Sequence, residues 1–184
     1  MYGLVHNSFK NMVLNNHGSE VWSRVSERDG LELEPFHILK QYEDHELFSM
    51  AIKTSEITGT ELSTLLKNFG RHFILCTAKE NYKATMRFHG ATALELLGNL
   101  NAMHTRLKST FLIYSPPRFF VSFESENTYI LQYESTRSGL EAFVEGLIIG
   151  IGELYEENIE ITLIDNDVTS KGQISKFRLF WSKG

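Results

Sequence analysis

The sequence has 184 residues, of which one is cysteine and three are proline, and it has no apolar run long enough to cross a bilayer. Each shortage removes a class of protein. A single thiol, Cys76, rules out an intrachain disulfide and any zinc or iron-sulfur centre built from several cysteines. Its simplest role is that of a small buried hydrophobe. A helical membrane span needs about 20 consecutive apolar residues, and none is present. The opening MYGLVHNSFKNM also lacks the basic-then-apolar order of a secretory leader. A cytoplasmic protein with no membrane partner is therefore expected. Positive charge is scarce as well, since 18 Lys and Arg stand against 23 Asp and Glu and leave a formal charge of -5. Without a basic footprint, nucleic acid is not an expected partner.

Catalytic signatures are missing too. There is no G-x-S-x-G elbow and no H-E-x-x-H pair. None of the seven histidines (His6, His17, His37, His45, His72, His89 and His104) stands four residues from another. Gly146, Gly150 and Gly152 give a G-x-x-x-G-x-G string, but it lies inside a helical stripe with no following G-K-S/T. Close helix packing explains it better than a phosphate loop. The charged run Glu43 to Glu46 reads as a solvated loop or a helix start.

What the chain does contain is a large aromatic set, with 13 Phe, 7 Tyr and 2 Trp, within an ordinary 42% hydrophobic composition. Such a core either fills itself or walls a flat ligand. The length suits one domain, 1–184.

Apolar spacing of three and four predicts helices over Ser8–Leu14, Glu20–Arg28, Glu61–Phe69 and Ala91–Leu107, with Gly18, Gly30, Gly70 and Gly90 as stop signals. Thr60 and Thr92 are the expected N-caps, and Thr92 with Glu95 has capping-box spacing. Pro116 and Pro117 end the helical half. RFFVSFES and TYILQYES then alternate with period two around a Glu126-Asn127 turn. A helix follows from Leu140 to Tyr155, and two more strands, IEITLID and ISKFRLFW, flank a polar loop from Asn166 to Gln173. The fold class is α+β, with the N-terminal helical half packed on a four-stranded antiparallel sheet that carries an inserted helix.

Two constellations carry chemistry. Leu97, Leu100, His104 and Leu107 fall at offsets of three, four and three, which puts an imidazole on an apolar stripe. That histidine is either a hydrogen-bonded core residue or an axial metal ligand. In an extended chain Tyr133, Ser135 and Arg137 project from one face as a phenol, a hydroxyl and a guanidinium. The row is either an ordinary strand end or a carboxylate-binding face. Together with aromatic walls, the two features match the needs of a haem site: an axial base, a propionate anchor and an apolar pocket.

The chain resembles the haem nitric oxide/oxygen binding (H-NOX) family, the sensory domain of soluble guanylate cyclase and of stand-alone bacterial proteins. MYGLV, GSEVW, FGRHF, NLNAMHTRL, SPPRFF and YESTRSGL carry the resemblance, which runs over essentially the whole chain. Tyr-x-Ser-x-Arg downstream of a helix histidine is its specific part. The resemblance implies haem b (iron protoporphyrin IX) with His104 as the iron ligand and Tyr133, Ser135 and Arg137 on the propionates. It implies Pro117, beside the similar Pro116, pressing on the porphyrin, with Leu100 and Met103 also in the cofactor-binding set. Val5, Phe9, Phe73, Phe143 and Leu147 are implied to line the gas-binding side, with Ala142 as the alternative to Phe143.

Relatives that hold oxygen stably place a tyrosine over the gas, whereas this chain has Phe143 or Ala142 there, so nitric oxide is favoured over oxygen. Tyr2, His72 and Tyr82 are the remaining polar groups that reach for such a pocket. The implied function is a non-enzymatic nitric oxide sensor that also takes carbon monoxide. Nitric oxide binds ferrous haem, breaks the iron-His104 bond, and the resulting change of conformation regulates a separate histidine kinase or cyclic-di-GMP enzyme. The alternatives are an oxygen sensor, a haem-dependent enzyme and a haem-free binding module.

Overall fold

The computed structural model describes residues 1–27, 36–108, 115–170 and 172–182. Its helical half begins with α1 (Gly3–Ser26), which is bent at Gly18, where φ is 82°. The expected helices Ser8–Leu14 and Glu20–Arg28 are thus the two arms of one bent element, because only glycine adopts that left-handed kink without strain. Arg28 and Gly30 lie outside the described residues.

The charged run Glu43 to Glu46 is a helix start. Glu43 and Glu46 close a capping box at the head of α2 (Asp44–Thr58), in which the Glu43 backbone N–H donates to Glu46 Oε1 at 3.0 Å. Apolar periodicity had not singled out this helix.

A second departure follows at Gly70. The helix α3 (Leu62–His72) does not stop there but continues through a π-helical segment, Phe73–Ala78, into α4 (Lys79–His89). Gly70 is needed for contact and not for a turn, since a Cβ on it would overlap the Phe143 carbonyl. The cap is also one residue later than expected: Glu61, not Thr60, accepts the Thr64 N–H at 3.0 Å. Helix α5 (Ala93–Leu107) is capped by Thr92, whose hydroxyl accepts the Glu95 N–H at 3.2 Å. The Glu95 carboxylate, however, accepts from Ala91 and not from the cap itself.

The second half follows the expected strand, strand, helix, strand, strand order: β1 (Arg118–Ser125), β2 (Thr128–Ser135), α6 (Glu141–Tyr155), β3 (Asn158–Thr169) and β4 (Gly172–Ser182). The β1–β2 turn uses Asn127 at φ 56°, a conformation that asparagine tolerates. The sheet is antiparallel throughout, in the order β1-β2-β4-β3. The loop expected over Asn166–Gln173 is instead largely strand, with Asn166 pairing with Ser175 and Val168 with Gln173. The polar residues there are paired with one another, which is why their composition read as loop.

Two apolar cores result. One joins α1, α2 and α3 around Phe9, Met12, Met50 and Phe69. The other joins α5, α6 and the sheet around Leu96, Leu97, Ile148, Leu131 and Phe177. Helix α6 locks onto α3 through small residues, since a Cβ on Gly146 would overlap the Lys67 carbonyl and one on Gly150 would stand 2.9 Å from the Ile74 Cβ. Lys67–Glu145 and Arg71–Glu153 ion pairs, each at 2.6 Å, flank this seam.

Candidate functional site

Between the α5 face and the start of α1, the π segment and α6 lies a cavity of about 260 Å³. Its lining is overwhelmingly apolar because four amphipathic elements turn their apolar stripes towards one another. Helix α5 contributes Leu97, Leu100, His104 and Leu107, the stripe read from the spacing, and Met103 beside it. Across from it stand Val5, Phe73, Phe143 and Leu147, and Pro116 and Pro117 close a further side. Phe143 lines the space; Ala142 does not and packs instead on the α1–α3 core.

Phe9 departs from expectation. It does not line the cavity but is fully buried in the other core, its ring edge-on to Phe69 with centroids 5.1 Å apart. Four residues on from Val5, it lies about one helical turn further along α1, past the cavity wall. Of the additional polar groups, Tyr2 and Tyr82 line the cavity and His72 does not.

His104 sits in the last turn of α5, its ring centroid 6.0 Å from that of Phe119. Burial pushes its pKa down to about 4, opposed in part by a hydrogen bond to the Pro117 backbone. At neutral pH the imidazole is therefore uncharged, the form that ligates metals.

The carboxylate-binding row survives in altered form. β2 ends at Ser135, so Arg137 is not on the strand. All three side chains nevertheless reach one cavity wall, because the Arg137 N–H donates to Ser135 Oγ at 3.0 Å and turns the chain back. Burial pushes the Tyr133 phenol up, and Ser135 hydrogen-bonds to it. Arg137 donates through Nε to Asp44 Oδ2 at 2.7 Å and through Nη1 to the Ser115 carbonyl at 3.3 Å.

Asp44 was not legible as a site residue. Burial raises its pKa, yet the Met1 ammonium at 2.7 Å and Arg137 together hold its carboxyl below the ordinary value. The capping-box spacing marks it as helix start, but no sequence signal joins it to a partner 93 residues away.

A second unread group lies behind the Arg137 turn. Gln173 Oε1 accepts from the Gly139 N–H at 3.0 Å, while Gln173 Nε2 donates to Asn166 Oδ1 at 3.0 Å and to Ser175 Oγ at 2.6 Å. Asn166 in turn donates to Glu141 at 2.8 Å. This network, with Gln173 and Ser175 buried and Asn166 exposed, fixes the chain between Arg137 and α6 from the tip of the β3–β4 hairpin.

A family model described as Haem-NO-binding matches residues 2–163. The soluble guanylate cyclase gcy-31 of Caenorhabditis elegans is 28% identical over 166 residues, covering 90% of this chain and 24% of that protein. The chain spans about a quarter of the length, or less, of the curated relatives it matches. A Cs H-NOX mutant carrying 4-cyano-L-phenylalanine superposes with a TM-score of 0.89 at 21% identity, covering 100% of this chain and 97% of that one. An oxygen-binding H-NOX domain related to soluble guanylate cyclases, solved as its oxygen complex, gives 0.83 at 20% identity, covering 100% and 96%. At such identities the structural likeness establishes the α+β fold, while the family model covers well over half of the chain. The protein belongs to the haem-NO-binding (H-NOX) family of haem-binding gas-sensor domains.

Proposed function

We propose that residues 1–184 form a single cytoplasmic haem b domain that senses nitric oxide, accepts carbon monoxide, and passes the signal to a separate protein, a histidine kinase or a cyclic-di-GMP enzyme. One observation carries this reading: the half-buried His104 imidazole and a guanidinium-hydroxyl cluster line the same apolar cavity. A haem needs an axial base, apolar walls and an anchor for two carboxylates, and the residues present fit each requirement. His104 would serve as axial base, with Leu100, Met103 and Pro117 beside it. Arg137, Tyr133 and Ser135 would hold the propionates, Arg137 by the charge-assisted fork that suits a carboxylate. No group of three His, Cys, Asp or Glu fit to hold a metal occurs among the described residues, which accords with an iron whose other ligands come from a macrocycle.

A haem held by His104 and by the Tyr133, Ser135 and Arg137 side chains would supply ferrous gas-binding chemistry, and nitric oxide binding would loosen the hold of His104. The protein's part is selection and transmission. Val5, Phe73, Phe143 and Leu147 offer a bound gas no hydrogen bond, which disfavours oxygen far more than nitric oxide. Burial, which lowers the His104 pKa, and the hydrogen bond to the Pro117 backbone would favour a neutral imidazole whenever His104 is not held by iron, so a shift of α5 would leave no charge behind.

The test is the absorption spectrum of the ferrous, haem-supplemented protein with and without nitric oxide and in air. The expected result is a Soret band that moves with nitric oxide and gives no stable oxygenated form in air. Absence of any Soret band after supplementation would leave a haem-free module. An oxygen-sensing reading has one observation in its favour: Tyr82, which carries a hydroxyl, is among the residues that line the cavity. It would be supported by a stable oxygenated spectrum that Tyr82→Phe abolishes.

A further inference from the structure

The side chain that fixes His104 relative to Pro117 lies one turn earlier on α5. Asn101 Nδ2 donates to the Phe119 carbonyl at 2.7 Å, and its Oδ1 accepts the Phe119 N–H at 3.0 Å. Both peptide groups of one residue are thus matched by one side-chain amide, as a neighbouring strand would match them. β1 is an edge strand of the sheet, and β2 pairs with it on the other side at Phe119↔Tyr133. Asn101 therefore joins the helix that carries His104 to the strand that begins beside Pro117. His104 itself bonds the Pro117 backbone, so three hydrogen bonds tie Pro117 and Phe119 to α5.

We infer that Asn101 is a positioning residue that sets the orientation of the His104 imidazole against Pro117, and through it the strength of the bond His104 makes to iron. The inference rests on the haem-sensor reading. Its physical basis is the pairing itself: one side-chain amide donates to the Phe119 carbonyl and accepts the Phe119 N–H, two contacts that together hold α5 against the start of β1. A carboxylate in its place keeps the acceptor and loses the donor. An alanine keeps neither, leaving two peptide groups of a partly buried edge without their partner.

The experiment compares the iron-histidine stretching band of the ferrous haem-loaded protein, by resonance Raman, in wild type, Asn101→Ala and Asn101→Asp. Asn99→Ala is the control, since Asn99 bonds the His89 carbonyl from the exposed side of the same helix. The expected result is a lower-frequency band in Asn101→Ala, partial return in Asn101→Asp, and no change in Asn99→Ala. If Asn101→Ala does not fold, Asn101→Asp carries the test by itself, because it keeps the side chain's shape and its 3.0 Å bond while turning the 2.7 Å bond into a repulsive oxygen–oxygen contact. An unmoved band in Asn101→Asp would then overturn the inference, as would an unmoved band in a folded Asn101→Ala. Wild type that binds no haem, or binds it without a histidine band, would instead overturn the sensor reading.

Discussion

His104 and Arg137 divide the expected work of the site between a bond and an anchor. His104→Gly should lose the iron-histidine band and much of the haem, and added imidazole should restore both; unchanged ligation would remove His104 from its role. Arg137→Ala deletes a charge-assisted contact worth about 1.5–3 kcal/mol, so haem dissociation should quicken by roughly tenfold to a hundredfold on the scale of 1.4 kcal/mol per decade. Transfer of haem to excess apomyoglobin measures it. Phe143 lines the cavity and bears no donor, so it is the position at which the proposed gas preference is tested. Phe143→Tyr should create a stable oxygenated spectrum in air that the parent protein lacks.

Among the elements, the α3–α6 seam and the β3–β4 hairpin tip bear most on the site's geometry. Gly146 lies directly against the Lys67 carbonyl, and added bulk in a packed interior costs about 1–3 kcal/mol. Gly146→Ala should therefore lower the melting temperature by several degrees, on the scale of about 2–4 °C per kcal/mol for a chain of this size. Because α6 also carries Phe143 and Leu147, the same change should alter carbon monoxide binding kinetics, which a surface glycine would not. Gln173→Leu should destabilise by about 1–3 kcal/mol by stranding its buried polar partners, and should weaken haem retention because the Arg137 turn loses its backing. Urea unfolding and haem transfer separate the two effects.

Over the whole molecule, acid sensitivity should appear well above the carboxylate range. His6 is fully buried, between the rings of Phe36 and Tyr42 with centroids 5.1 Å away. Burial lowers its pKa and the Met1 ammonium lowers it further, while the Tyr2 backbone hydrogen bond, Glu46 and Asp44 act the other way. A base whose pKa is depressed in the fold binds protons more readily when unfolded. The His6 contribution is intact above its ordinary value of 6.5 and is lost as the pH falls from there towards the lowered folded value. His6→Phe should flatten that part of the stability-pH curve, measured by urea unfolding of the haem-free protein. Asp44, also lowered, acts in a separate window: its contribution is lost only as the pH falls below 3.8.

Sequence alone determined whatever depends on local period and residue chemistry. The α5 stripe that ends in His104, the turn at Asn127, the alternation of β1 and β2 and the close-packing use of Gly146 and Gly150 could all be read from spacing. Short-range geometry fixes which residues share a face, and the family's motifs then attach a role to His104 and to the Tyr133–Arg137 row. Tertiary structure decided what depends on residues distant in the chain. Phe9 and Val5 share a helix face, and only the packing of α1 on Phe69 places one in the core and the other on the cavity. Asp44 met Arg137, and Asn101 met Phe119, because folded elements approached one another. Gly70 looked like a stop until α6 lay against it. Periodicity records the direction a side chain takes from its own element. What it meets there is set by the docking of other elements, where burial gives each polar pairing its cost and its specificity.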